Sequence, residues 1–280
     1  MLIPTVGSPV HADRHASTPL RSAAVDAAPT VGLAAVIASF LSGLLGIGGG
    51  LILTPLLLDL PPLVGASVLS VKLITGLTMV QAISGSLLGV VRHHGHGNVS
   101  KPILRVMGPT IAAASLGGAL LSSRASDRSL LLVFAGVATI GAIALVIPGR
   151  ADPVNEQRPR SLALAVGAAA LLGLFGGMVG IGGVAFIIPV LIHLVGLPAR
   201  TAIGTSLGLG LFSSAAGLVG KAATAQVDPS LALVVAVSAA IVAPIGVAAS
   251  VRTPVRALTS ILAALVLITA IRVALAALAT

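Results

Sequence analysis

An all-α membrane protein of about eight spanning helices, arranged as two homologous four-block units, is the fold this sequence predicts. Three observations carry it. Charged residues fill only 8% of the 280 positions while apolar residues fill 56%, against about 25% charged in soluble domains. Those apolar residues gather into eight blocks, each near or above the roughly 20 residues that a bilayer crossing needs. The first and fifth blocks also carry the same glycine-rich interruption. Lipid cannot hydrogen-bond a backbone, so the blocks must be helices or strands of a closed barrel. They are continuously Leu, Ala, Val and Ile, without the alternation of barrel strands, which leaves helices.

Taken in order, residues 1–29 carry Asp13, Arg14, Arg21 and Asp26 and lack the apolar run of a signal peptide, so a disordered tail is expected there. The first block, Thr30 to Leu58, is too long for one straight span. It is interrupted at Gly46, Ile47, Gly48, Gly49 and Gly50, with Pro55 shortly beyond. Blocks at Ala66 to Val91, Ile103 to Leu121 and Ser129 to Ile147 complete a first repeat over 30–149. Arg150 to Arg160, with Asp152, Pro153, Glu156 and Pro159, reads as a cytoplasmic linker within 150–161. The second repeat, 162–280, opens with Leu162 to Ile192, broken at Gly180, Ile181, Gly182 and Gly183 before Pro189. It continues with Thr201 to Val219, Ser230 to Ala249 and Ala257 to Ala277.

The duplication is visible residue by residue. An offset of 134 carries Gly43, Gly46, Ile47, Gly48, Gly49 and Pro55 onto Gly177, Gly180, Ile181, Gly182, Gly183 and Pro189. Later an offset of 128 carries Gly118, Ser122, Arg124 and Arg128 onto Gly246, Ser250, Arg252 and Arg256, so the first repeat holds six extra residues in between. Paired broken spans are the strongest sequence pointer to a transporter's binding site. Glycine unwinds the helix, and Pro55 and Pro189, lacking a donor, suit the first turns of the helix that resumes. Amide donors are left bare at membrane depth, where a helix start carries roughly half a positive charge. Two such starts form an anion site from Gly46, Gly48, Gly49, Gly50, Gly180, Gly182 and Gly183. Close helix packing is the plainer role for isolated glycines such as Gly136 and Gly246.

Lys72 is the one ionisable residue well inside an expected block, at an insertion cost of about 3 kcal/mol. The 134 offset pairs it with Ser206, beside Thr205. An ammonium and two hydroxyls on equivalent elements suit an oxyanion, so Lys72, Thr205 and Ser206 join the expected substrate site. Snorkelling to the nearer interface is the alternative for Lys72, and for Arg272 near the end of the last block. His93, His94 and His96 form one cluster, but no carboxylate or cysteine accompanies them, so a solvated loop face is expected.

Several functions are disfavoured. No block interior holds a carboxylate, which leaves no acid/base pair and no metal set within the membrane, and the chain has no cysteine. No cofactor and no catalytic residue are therefore expected. Gly180 to Ala185 fits a dinucleotide-binding string, but no strand precedes it. Nucleic-acid binding is excluded by scattered basic residues and the lack of Trp and Tyr, despite a net charge of +9. Expected partners are the lipid bilayer, a small anionic substrate and a coupling proton or ion, with Lys72 as a place for the proton.

The glycine segments ending at Pro55 and Pro189 resemble those of the sulfite exporter TauE/SafE family of membrane transporters. The run Ala202 to Leu207, the loops Gly97-Asn98-Val99 and Val227-Asp228, and the Gly118/Arg124 and Gly246/Arg252 loop starts are also similar. The resemblance covers residue 31 to the C-terminus. It implies a multi-pass inner-membrane carrier of sulfite, sulfonates or related organic anions. This chain departs from the pattern in having Val71-Lys72 where the second repeat keeps Thr205-Ser206.

A cytoplasmic N-terminus with eight crossings places Arg14, Arg21, Arg92, Lys101, Arg150, Arg158, Arg160 and Lys221 inside, against five arginines outside. If each broken block instead turns back on one side, the repeats are inverted. The expected function is secondary export of small anions by alternating access. The rivals are a membrane receptor or assembly subunit without flux, a metal-cation carrier using the histidine loop, and an intramembrane enzyme.

Overall fold

The computed structural model describes residues 18–45, 49–95, 97–146, 162–182, 184–250, 253 and 255–279. Among these residues there is no strand. The helices are α1 (Thr18–Leu45), α2 (Gly50–Leu63), α3 (Val71–Gly95), α4 (Lys101–Ser122), α5 (Asp127–Val146), α6 (Leu162–Val179), α7 (Val184–Val190), α8 (Ala199–Ala223), α9 (Pro229–Ser250) and α10 (Val255–Ala279). A π-turn, Leu191–Val195, continues α7. Five helices are long and apolar enough to cross a bilayer: Ala27–Leu45, Val71–Val91, Lys101–Ser122, Arg200–Ala223 and Pro229–Ala249. Shorter apolar helices run over Gly50–Leu63, Ala163–Val179, Phe186–Val195 and Ala264–Ala277. The protein is thus an all-helical, multi-pass membrane protein.

The expected tail needs correction, because α1 begins at Thr18, inside it. Pro19 sits in the first turn, where a missing N–H costs nothing. Ala23, Ala24, Ala27 and Ala28 follow with the highest helix propensity. Hydropathy alone misses a helix extended by propensity, and Ala27 is already fully buried. The 150–161 linker lies outside the described residues.

Helices α3 and α8 each have 25 residues, and α4 and α9 each have 22. In the bundle α1 packs on α9 while α6 packs on α4, and α3 lies against α8 as α5 lies against α10. Exchanging the two halves of the chain leaves this set of pairs unchanged. Glycines make both long crossings possible. A β-carbon on Gly43 would overlap the Ala243 carbonyl, and one on Gly246 the Phe40 carbonyl. At the equivalent crossing, Gly177 meets the Ser115 carbonyl and Gly118 that of Leu174. These four are among the glycines that the two sequence offsets pair, and they pack backbone on backbone. Gly136 does not, for nothing lies within 4 Å of its β-carbon position.

After each break the chain doubles back. Leu191 and Val195 of the π-turn share a buried cluster with Ala165 and Ala169 at the start of α6, and α2 packs beside α1. Both hairpins have their tips in the interior. The prolines stand in the second turn, Pro55 within α2 and Pro189 one residue before the end of α7. The breaks belong to the glycines upstream. Pro189 instead precedes the π-turn, where its ring and its missing N–H disturb the helical ladder.

Outside the spans, Asp228 caps α9. Its carboxylate accepts the Ser230 amide at 2.9 Å and the Leu231 amide at 3.0 Å, and also the Ser230 hydroxyl. Burial pushes its pKa up, but these donors outweigh burial and hold it below the usual carboxylate value. A carboxylate with a depressed pKa contributes stability above its unfolded pKa and loses it as pH falls through the folded value. Asp228→Ala is expected to cost roughly 1 kcal/mol at neutral pH. Thermal unfolding in detergent should show the gap to wild type narrowing between about pH 5 and pH 3, as the carboxylate protonates.

Candidate functional site

The two breaks rest on left-handed glycines, a conformation that residues with a β-carbon avoid. Gly49 has φ 80° and stands at the start of α2, where the Ile52 and Leu53 amides both reach its carbonyl at 3.2 Å. Gly180 has φ 81° and closes α6, its amide bonded to the Gly176 carbonyl at 2.9 Å; Gly182 has φ 68°. Gly46, Gly48 and Gly183 lie outside the described residues.

The breaks meet each other. A β-carbon on Gly50 would lie 2.8 Å from the Gly180 carbonyl oxygen and 3.1 Å from the Ile181 α-carbon. Around this contact α1, α3 and α8 supply a polar wall. Gly49 lies against Gln81 and the Ser42 hydroxyl, Gly180 against the Thr75 carbonyl and Thr78 hydroxyl, and Gly182 against Ala82 and the Ser214 hydroxyl. Ser42, Thr75, Thr78, Gln81 and Ser214 are all buried. Small backbone-only residues at both tips let these groups close in around them.

The one fully buried cation among the described residues is Lys221, with no exposed surface. Its Nζ donates to Thr75 Oγ1 at 2.8 Å, Ser122 Oγ at 2.8 Å, the Met178 carbonyl at 2.9 Å and Gln226 Oε1 at 3.0 Å. An ammonium has three N–H groups, so four acceptors hold it fully. All four are uncharged, and among the described residues no carboxylate pairs with it. The Met178 carbonyl is one of the orphan acceptors at the end of α6, where a helix carries partial negative charge. Lys221 therefore caps the half-helix that leads into the second break and brings its amine nitrogen beside it.

The sequence leaves Lys221 beyond the end of an apolar block, whereas the structure holds it within α8. The apolar block was ended at Val219, but Ala222 and Ala223 extend the helix by another turn. Lys72, expected beside the breaks, instead donates to the Ser123 carbonyl at 2.8 Å, past the end of α4. Its backbone carbonyl is tied to Thr75, one turn before Gly180's contact. The starts of α3 and α8 are 128 residues apart, so the later offset already applies there and pairs Lys72 with Arg200 rather than Ser206. The same register pairs Gly76 with Gly204, Thr78 with Ser206, Ser86 with Ser214 and Gly89 with Gly217.

Thr205 is buried, but its hydroxyl accepts the Ser100 amide at 2.9 Å and ties α8 to the segment before α4. Ser206 donates to its own helix at the Ile203 carbonyl. Neither hydroxyl reaches the second break; Ser214, farther along α8, does. His93 and His94 lie on the last turn of α3, His96 outside the described residues, and no metal-binding group of His, Asp or Glu occurs among the described residues. Arg272, expected to snorkel, pairs with Asp59 and joins α10 to α2.

Comparison with known proteins agrees with the architecture. The family profile described as Sulfite exporter TauE/SafE matches residues 31–273. A relative from Haemophilus influenzae, described as a probable membrane transporter protein, is 26% identical over 187 residues, covering 66% of this chain and 70% of the relative. No solved structure matches the chain.

Proposed function

We propose, from the premise that this chain belongs to the sulfite exporter TauE/SafE family of membrane transporters, that it exports small anions from the cytoplasm across the inner membrane. Sulfite, sulfonates and related organic anions are the substrate class, held at the paired glycine breaks. The observation that carries this reading is Lys221, a buried ammonium beside the second break whose partners are all uncharged. A fixed positive charge in a low-dielectric site with no carboxylate favours an anion as its counter-charge. The amide donors that open α2 add a second attraction. Gly49, Gly50, Gly180 and Gly182 form the tips; Gly46, Gly48 and Gly183 complete them by sequence. Thr75, Thr78 and Ser214 join the substrate site in the place expected for Thr205 and Ser206, and Lys72 becomes an accessory charge near the α4 end.

Alternating access follows from the hairpins. The first turns of α3 and the last turns of α4, α6 and α8 gather around Lys221. That gathering supports broken segments that turn back on the side they enter, with the two repeats inverted. Parting the contact between Gly50 and Gly180 toward one side or the other would expose the site alternately. No nucleotide-driven step is needed; coupling would come from a proton or ion gradient.

The test is counterflow in proteoliposomes loaded in turn with sulfite, thiosulfate, small sulfonates and carboxylates. Accumulation of labelled external anion against the preloaded one is expected for at least one sulfur oxyanion. Anion-dependent thermal stabilisation without counterflow would identify a receptor instead. Equal flux in protein-free vesicles would remove the transport reading.

A further inference from the structure

The first break has its own polar cluster, separate from Lys221, and two of its atoms have no partner. Ser39, Ser42 and Gln81 are 0%, 2% and 1% exposed. Ser39 Oγ donates to the Ala35 carbonyl at 2.5 Å. A carbonyl can only accept, so the single serine proton is committed there, and Ser39 can only accept from Gln81. That fixes the amide: Nε2 donates to Ser39 at 2.9 Å, and Oε1 is the free end. Gln81 Oε1 and Ser42 Oγ are both buried and have no hydrogen-bond partner among the described residues. Both side chains lie against Gly49, whose β-carbon position is 2.6 Å from Gln81 Cγ and 3.2 Å from Ser42 Oγ.

Buried orphans of this kind are rare and call for a ligand, a water or a functional reason. Their chemistry narrows the choice. The adjacent start of α2 is the positive end of that helix, which repels a metal cation and attracts an anion. Gln81 Oε1 is a pure acceptor, so a bare oxyanion oxygen facing it is repelled while an O–H or N–H is held. Ser42 satisfies either. From this arrangement we infer that Gln81 is a specificity-determining residue, selecting anions that carry a hydrogen-bond donor of their own over otherwise similar anions that do not. Hydrogen-bearing oxyanions and hydroxy- or amino-sulfonates belong to the favoured class. The inference rests on the anion reading above and refines it at the first break.

The test compares two permanent monoanions of nearly equal size, 2-hydroxyethanesulfonate and 1-propanesulfonate, by thermal-shift titration of the purified full-length protein. Wild type is expected to bind the hydroxylated anion about tenfold more tightly, the effect of satisfying one buried acceptor. In Gln81→Met both anions should bind with similar affinity. Ser42→Ala serves as the second variant should Gln81→Met fail to fold. Without ligand its melting temperature should equal or exceed wild type, because a buried unpaired hydroxyl is gone, while the hydroxylated anion binds more weakly. A packing serine would give the opposite, lower stability with unchanged binding, and would overturn the proposal. Equal binding of both anions by wild type overturns the role of Gln81 alone and assigns the orphan atoms to water. Failure of both anions to stabilise wild type overturns the anion site along with it.

Discussion

Replacing Lys221 with methionine is expected to abolish measurable anion counterflow while leaving the protein folded. Methionine keeps the length and apolar stem of lysine and removes the charge. Every N–H of Lys221 is already held by the protein, so it acts on the anion through its charge, worth about 2–3 kcal/mol at roughly 6–8 Å and an effective dielectric near 20, and anion affinity should fall by roughly one to two orders of magnitude. Stability responds differently. Burying an ammonium is itself costly, and replacing a buried charge by an apolar side chain of similar volume is often neutral or stabilising. The Thr75 and Ser122 hydroxyls can turn to other acceptors, and Ser122 already donates to the Ala119 carbonyl at 2.6 Å. The variant should therefore melt near the wild-type temperature without transporting. Lys221→Arg does not rescue it, because a planar fork cannot address four acceptors gathered around one nitrogen. Flux in Lys221→Met indistinguishable from wild type would remove the lysine from the mechanism.

The second large effect is steric. In Gly180→Ala the new methyl meets the Thr75 carbonyl and the Thr78 hydroxyl, and the residue must hold φ 81°. The left-handed conformation costs about 1–2 kcal/mol and overpacking about 1–3 kcal/mol more, so a loss of roughly 2–5 kcal/mol is expected. Thermal unfolding in detergent measures it. Gly136→Ala provides the contrast, since that position is exposed, helical and open. There the same change should stabilise by about 0.5–1 kcal/mol. Equal responses at the two sites would show that the second break tolerates a side chain.

The contrast between the two glycines also marks how far this protein can be read from its sequence. The helical membrane class and the left-handed glycines at the breaks are legible in the sequence, because glycine at a fixed offset has few other physical uses. Gly43, Gly118, Gly177 and Gly246 were picked out by repetition alone and sit at the two backbone contacts. The chemistry around the breaks was less legible. Lys72 looks buried by the hydropathy of its neighbours, yet it reaches a carbonyl at the edge of the bundle. Lys221 looks exposed for the opposite reason, since it closes an apolar block. Its burial depends on Thr75, Ser122, Met178 and Gln226, which come from four different parts of the chain. No local window contains that information. Gln81 escaped notice because a neutral amide in a span carries no charge to count, and its importance depends on which of its two ends Ser39 occupies.

The Gly43–Gly246 crossing has a consequence for how the molecule is made. About two hundred residues of chain separate α1 from its packing partner α9, so the first hairpin leaves the ribosome well before that partner. At roughly 5–20 residues per second, the wait between α1 and α9 is on the order of 10–40 s. During that interval the Gly43 face of α1 lacks the Ala243 carbonyl and Val247 backbone that cover it in the folded protein. Biogenesis thus ends, rather than begins, with the first hairpin: it is threaded early and locked late.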